Sequence, residues 1–74
     1  MSDLSIVSLG EKFRKLRTER NLDQYEMAQV LGVAQSTYCD WEKGKMRPRR
    51  ERLPSIAKAF NVPVAKLRAW WMAS

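Results

Sequence analysis

Between Gln24 and Lys43, two short apolar patterns of helical period meet at a small residue and a glycine. No other feature of the chain restricts its fold as much. Counted from Gln24, Ala28 is fifth and Gly32 ninth. At the fifth place two helices that cross closely leave room only for a small side chain. At the ninth the chain must turn tightly, and glycine takes positive φ without a Cβ clash. Met27, Val30 and Leu31 lie on one side of the first helix, with Ala28 beside them. Ala34, Tyr38 and Trp41 mark the inward side of the second, and no proline interrupts either. The expected core of the unit is Met27, Leu31, Val33, Tyr38 and Trp41. The second helix should run from about Ala34 to Lys43 and stop at Gly44. Its start is weakly capped: Ala34 stands where Ser or Thr would bond a free amide, a deficit of about 1 kcal/mol.

The flanks read as helices too. Ser8 and Glu11 have capping-box spacing, and Leu9, Phe13 and Leu16 follow on one face. Lys12, Arg14, Lys15 and Arg20 lie off that face, and Asn21 can take a left-handed cap. Asp23 and Glu26 form a second box at the start of the central unit. Beyond it, Pro54 suits the first turn of a fourth helix carrying Leu53, Ile56, Ala57 and Phe60. Asn61 and Pro63 break the pattern, and a fifth helix should run from about Pro63 to Trp71, with Val64, Leu67 and Trp71 on one face. The expected fold is all-α with five helices. Residues 1–7 carry no pattern and read as a flexible arm, leaving 8–74 as one domain. A chain of this size buries only about 60% of its unfolded surface, so there is one small core.

The charge balance is +6, from 14 Lys and Arg against 8 Asp and Glu. Residues 43–52 hold six of the basic residues and one acid, and Pro48 marks them as a loop. Such a balance suits a polyanion. No stacking aromatics punctuate the basic run, which disfavours RNA. Cys39 is the single cysteine and there is no histidine, so neither an internal disulfide nor a zinc site is expected. No apolar run nears the roughly 20 residues of a membrane span, and the N-terminus lacks a secretory pattern. These features fit a reducing cytoplasmic setting. With no glycine-rich phosphate loop and no paired nucleophile and base, an enzyme is not expected, nor a cofactor.

Opposite Tyr38 and Trp41, the second helix of the unit carries Gln35, Ser36, Cys39, Asp40 and Lys43. This short polar face fits one read against base edges in a major groove. At the C-terminus, Trp70, Trp71 and Met72 exceed what one short helix can bury. An exposed apolar patch of that kind points to an interface, and Trp70 and Met72 are the candidates for a homodimer contact. The alternative is that both indoles fold back on the fourth helix.

The run Leu22-Asp23-Gln24-Tyr25-Glu26-Met27-Ala28, with Leu31-Gly32-Val33-Ala34-Gln35-Ser36-Thr37, Trp41-Glu42-Lys43-Gly44-Lys45 and Arg47-Pro48, resembles the lambda repressor/Cro-like, or XRE, helix-turn-helix family. The resemblance covers about residues 9–68. It implies a five-helix, lambda-repressor-like DNA-binding domain. It also implies base contacts from Gln35 and Ser36, with Thr37 at the margin. Gln35 suits adenine, whose N6 and N7 match an amide. Asp40 falls where the family often places another base-reading residue, but an acid there is a departure; it can also pair with Lys43 or Arg47. Gln24 matches a glutamine that bonds a backbone phosphate and buttresses the recognition helix. Lys43, Lys45, Arg47 and Arg49 match a loop laid along phosphates. Arg17 and Glu42 match a structural ion pair. Cys39 could be a thiol sensor or merely a small residue. The implied function is a sequence-specific regulator of transcription on double-stranded DNA, of the kind found in phage and mobile elements. It would be a dimeric repressor occluding a promoter through a palindromic operator with half-sites roughly 34 Å apart. The rival is an antitoxin or protein-interaction module whose main partner is another protein.

Overall fold

The computed structural model describes residues 8–73. Five α-helices follow one another: α1 (Leu9–Glu19), α2 (Gln24–Leu31), α3 (Gln35–Lys43), α4 (Leu53–Phe60) and α5 (Val64–Ala73), with a 3-10 turn at Arg50–Arg52 before α4. The expected arm, residues 1–7, lies outside the described residues.

Local chemistry sets the boundaries. The Ser8 hydroxyl accepts the Glu11 amide at 3.2 Å, and the Glu11 carboxylate accepts the Ser8 amide at 3.3 Å. Asp23 and Glu26 repeat the exchange at 2.8 and 2.9 Å. Each box satisfies two amides that a helix start leaves bare. Gly32 closes α2 with φ 72°, and Asn21 and Asn61 take left-handed caps at 58° and 59°. Ala34 precedes α3 in extended conformation with no side-chain cap, the deficit anticipated from its type.

One core joins the helices. Leu9, Phe13, Met27, Ala28, Tyr38, Trp41, Leu53, Ile56, Ala57, Phe60 and Leu67 are buried. Leu16, Leu22, Leu31 and Val33 pack against them while partly exposed. Phe13 stands at the centre, its ring centroid 5.4 Å from Phe60 and 6.2 Å from Trp41. Burying one such side chain stabilises by about 1.5–3 kcal/mol, and these residues come from every α-helix. The close approach of α1 to α3 depends on Gly10. A Cβ there would meet the main-chain carbonyls of Trp41 and Glu42.

The structure departs from the sequence pattern at several positions. Val30 is 56% exposed, not inward. Met27 and Ala28 define the covered face of this two-turn helix, and the 3.6-residue period puts Val30 on its flank, away from Ala28. Ala34 is exposed because it precedes the helix instead of lying in it. Val64 is also exposed, so Leu67 alone is fully buried on α5. That helix starts one residue after Pro63, whose carbonyl accepts the Lys66 and Leu67 amides, and runs on past Trp71. Residues 43–52 are not all loop, since Arg50–Arg52 form a turn of 3-10 helix.

Candidate nucleic-acid interface

Two buried rings mount α3. Tyr38 and Trp41 are anchored in the core, with their centroids 6.3 Å apart. The helix therefore turns its other side outward. Gln35, Ser36 and Lys43 are exposed, while Thr37, Cys39 and Asp40 are half-buried along the flank. With no acid in the first turn and no capping side chain, the amides at the start of α3 stay open to outside acceptors.

The far end of α3 is braced by a polar network. Arg17 grips Glu42 with two donors: Nε to Oε2 at 2.6 Å and Nη2 to Oε1 at 3.2 Å. Its Nη1 also donates to the Leu22 carbonyl at 3.0 Å. Gln24 Nε2 donates to Glu42 Oε1 at 3.0 Å. The side chains of Arg17 and Glu42 keep only 13% and 5% of their exposure. Burial pushes the Glu42 carboxyl up, but hydrogen bonds from Arg17, Tyr38 and Gln24 outweigh it and hold the group below the usual carboxylate range. The hydrogen bond to Glu42 raises Arg17 further, so both stay charged. Burial pushes the Tyr38 hydroxyl well up. The network ties α1, the start of α2 and the end of α3 into one unit. One Gln24 amide proton is committed to Glu42, and the same nitrogen carries a second donor.

Arg14, Arg17, Gln24, Glu42 and Lys43 line a cleft of about 270 Å³ beside this network. The sequence pattern places Arg14 only off the apolar face of α1. The available signal was its position one helical turn before Arg17 on α1.

The basic loop divides. Lys45, Arg47 and Arg49 are all exposed, and the Arg17–Glu42 bridge is the single ion pair found among the described residues. The pairing of Asp40 with Lys43 or Arg47 is therefore not made. The Asp40 main-chain carbonyl instead accepts the Lys45 amide at 3.0 Å. Arg47 turns to α5. Its Nη1 donates to the Trp71 carbonyl at 2.6 Å, and its guanidinium lies 4.3 Å from the Trp71 ring centroid. Trp71 Nε1 in turn donates to the Pro48 carbonyl at 2.7 Å.

The two C-terminal candidates also separate. Trp70 is half-buried against the core, with the Lys12 ammonium 4.8 Å and the Lys66 ammonium 5.6 Å from its ring. Met72 is 70% exposed. Near the end of α5, residues including Leu9, Trp41, Met46 and Ala73 line a second cleft of about 420 Å³.

Residues 13–67 match the model of a helix-turn-helix family. Over 58 residues the chain is 45% identical to the cryptic phage CTXphi transcriptional repressor RstR of Vibrio cholerae, covering 78% of this chain and 52% of that protein. Over 61 residues it is 38% identical to the transcriptional activator BcrR of Enterococcus faecalis, covering 82% and 30%. Over 60 residues it is 33% identical to the ImmF control region 10 kDa protein of Bacillus phage phi105, covering 81% and 67%. The chain thus spans about half of the first of these relatives and less than a third of the second. Among solved structures, the DNA-binding domain of the P22 c2 repressor superposes with a TM-score of 0.75 at 24% identity, covering 85% of this chain and 83% of that one. That likeness is one of fold, and it is the five-helix repressor-like fold expected from the sequence.

Proposed function

The chain belongs to the helix-turn-helix family, and on that premise we propose that it is a sequence-specific regulator of transcription acting on double-stranded DNA in the cytoplasm. The observation that carries this reading is the mounting of α3: Tyr38 and Trp41 are locked inside while Gln35 and Ser36 stand exposed at its start. In the major groove, Gln35 would bond adenine N6 and N7, with Ser36 and Thr37 beside it. Asp40, free of an ion pair, would accept from a cytosine amine. Gln24, Lys43, Lys45 and Arg49 would hold phosphates and set the register, with Arg47 at the edge of that group.

The finer reading is a dimeric repressor that occludes a promoter through a palindromic operator. The repressor name of the relative at 45% identity supports it. So does the exposure of Met72 at the end of α5, beside the half-buried Trp70. A second reading, a module whose main partner is another protein, draws on the exposed Tyr25 and Val30 of α2.

Titration of the full chain onto duplex DNA at rising salt tests the proposal. The logarithm of the binding constant should fall linearly with that of salt, at about −0.9 per phosphate neutralised. A flat line overturns it.

A further inference from the structure

Arg47 lies in the loop after the recognition helix, where a cation facing phosphate is expected. Its side chain is instead laid on α5. One hydrogen bond at 2.6 Å and a cation–π contact at 4.3 Å join it to Trp71, and Trp71 reaches back to the Pro48 carbonyl at 2.7 Å. One tryptophan thus holds two consecutive loop residues.

Among the described residues, no main-chain hydrogen bond holds their backbone. Among the described residues, the loop's main-chain bonds stop at Met46, whose amide reaches the Asp40 carbonyl at 3.4 Å. They resume at Arg49, whose carbonyl accepts the Arg52 amide at 2.9 Å. Pro48 has no amide proton to contribute, and it is buried. Lys45 and Arg49, two of the exposed cations assigned to phosphate, lie on either side of this pair.

We infer that Trp71 is a positioning residue for DNA binding: it fixes Arg47 and Pro48 and so sets where Lys45 and Arg49 meet the phosphate backbone. The inference rests on the DNA reading above. Trp71 acts through the loop, and the end of α5 and the DNA-facing loop become one mechanical unit. A change at the C-terminal end is then felt at the phosphates without altering the base-reading residues of α3.

A double-mutant cycle on random-sequence duplex DNA tests this with the full chain. Trp71→Ala should weaken binding about tenfold, within the range for residues coupled through a backbone shift. Trp71→Phe keeps a ring beneath Arg47 but loses the bond to Pro48, and should lie between Trp71→Ala and the wild type. The decisive reading is Lys45→Ala. It should cost less in the Trp71→Ala background than in the wild type, because the loop no longer delivers that ammonium. A role in stability alone would leave the two losses additive. Binding is read well below each variant's melting temperature, and Trp71→Phe replaces Trp71→Ala in the cycle if the latter does not fold. Additive losses, or wild-type affinity in Trp71→Ala, overturn this inference alone. A wild-type chain without salt-dependent binding overturns the DNA reading and the inference with it.

Discussion

Gly10 lies directly against the main chain of α3: a Cβ on it would stand 2.5 Å from the Trp41 carbonyl oxygen and closer still to that of Glu42. Both obstacles are backbone, so no change of rotamer relieves them. Gly10→Ala must therefore push α1 away from α3, and should destabilise by about 1–3 kcal/mol or more. Urea unfolding measures this, and wild-type stability would mean that the crossing opens freely.

The Arg17–Glu42 bridge predicts a pH dependence. The folded-state pKa of Glu42 is depressed, so its contribution to stability is present above the ordinary carboxylate value and is lost as pH falls through the lower folded value. The wild type should lose stability below about pH 4. Glu42→Ala should cost about 3–5 kcal/mol at neutral pH, because it strands the Arg17 charge, and should flatten the acid limb. Urea midpoints across that range check both. Equal acid slopes in the two proteins would assign the acid loss to other carboxylates.

The sequence carried what depends on near neighbours and hid what depends on distant ones. Ser8 with Glu11, Asp23 with Glu26, and Gly32 are local devices, and they read correctly. Gly10 carries no local signal because its constraint comes from the carbonyls of another helix. Val30 was misplaced because periodicity gives a side chain's angle around a helix, not which angles are covered. Arg47 read as one more cation in a basic run. Only the fold brings the Trp71 ring to it. The outward side of α3 was legible, since burying Tyr38 and Trp41 leaves Gln35 and Ser36 no other direction.

Base reading and phosphate holding are separable. Gln35→Ala should relax preference at one base position at a cost of about 1–3 kcal/mol, while leaving affinity for random duplexes nearly intact. Competition binding on the preferred site and its single-base variants measures it. Equal loss on specific and random DNA would place Gln35 among the phosphate contacts.

Lys45→Ala should do the opposite. Affinity should fall alike on every sequence, and the slope of log K against log salt should shrink by about one. A change in base preference would contradict the assignment.

Met72 offers the clean probe of assembly, because it is exposed while Trp70 also packs on the core. Met72→Glu should shift the sedimenting species toward monomer and weaken operator binding without lowering the melting temperature. Unchanged sedimentation and affinity would remove the end of α5 from the dimer interface.

The start of α3 is the proposed reader of double-stranded DNA. Selection of bound duplexes from a random pool by the full chain tests it most directly, repeated with Gln35→Ala. An enriched two-fold-symmetric site is expected, with half-sites about one helical turn apart, and relaxation at one symmetric base position in the variant. A pool that stays random through repeated rounds would contradict it.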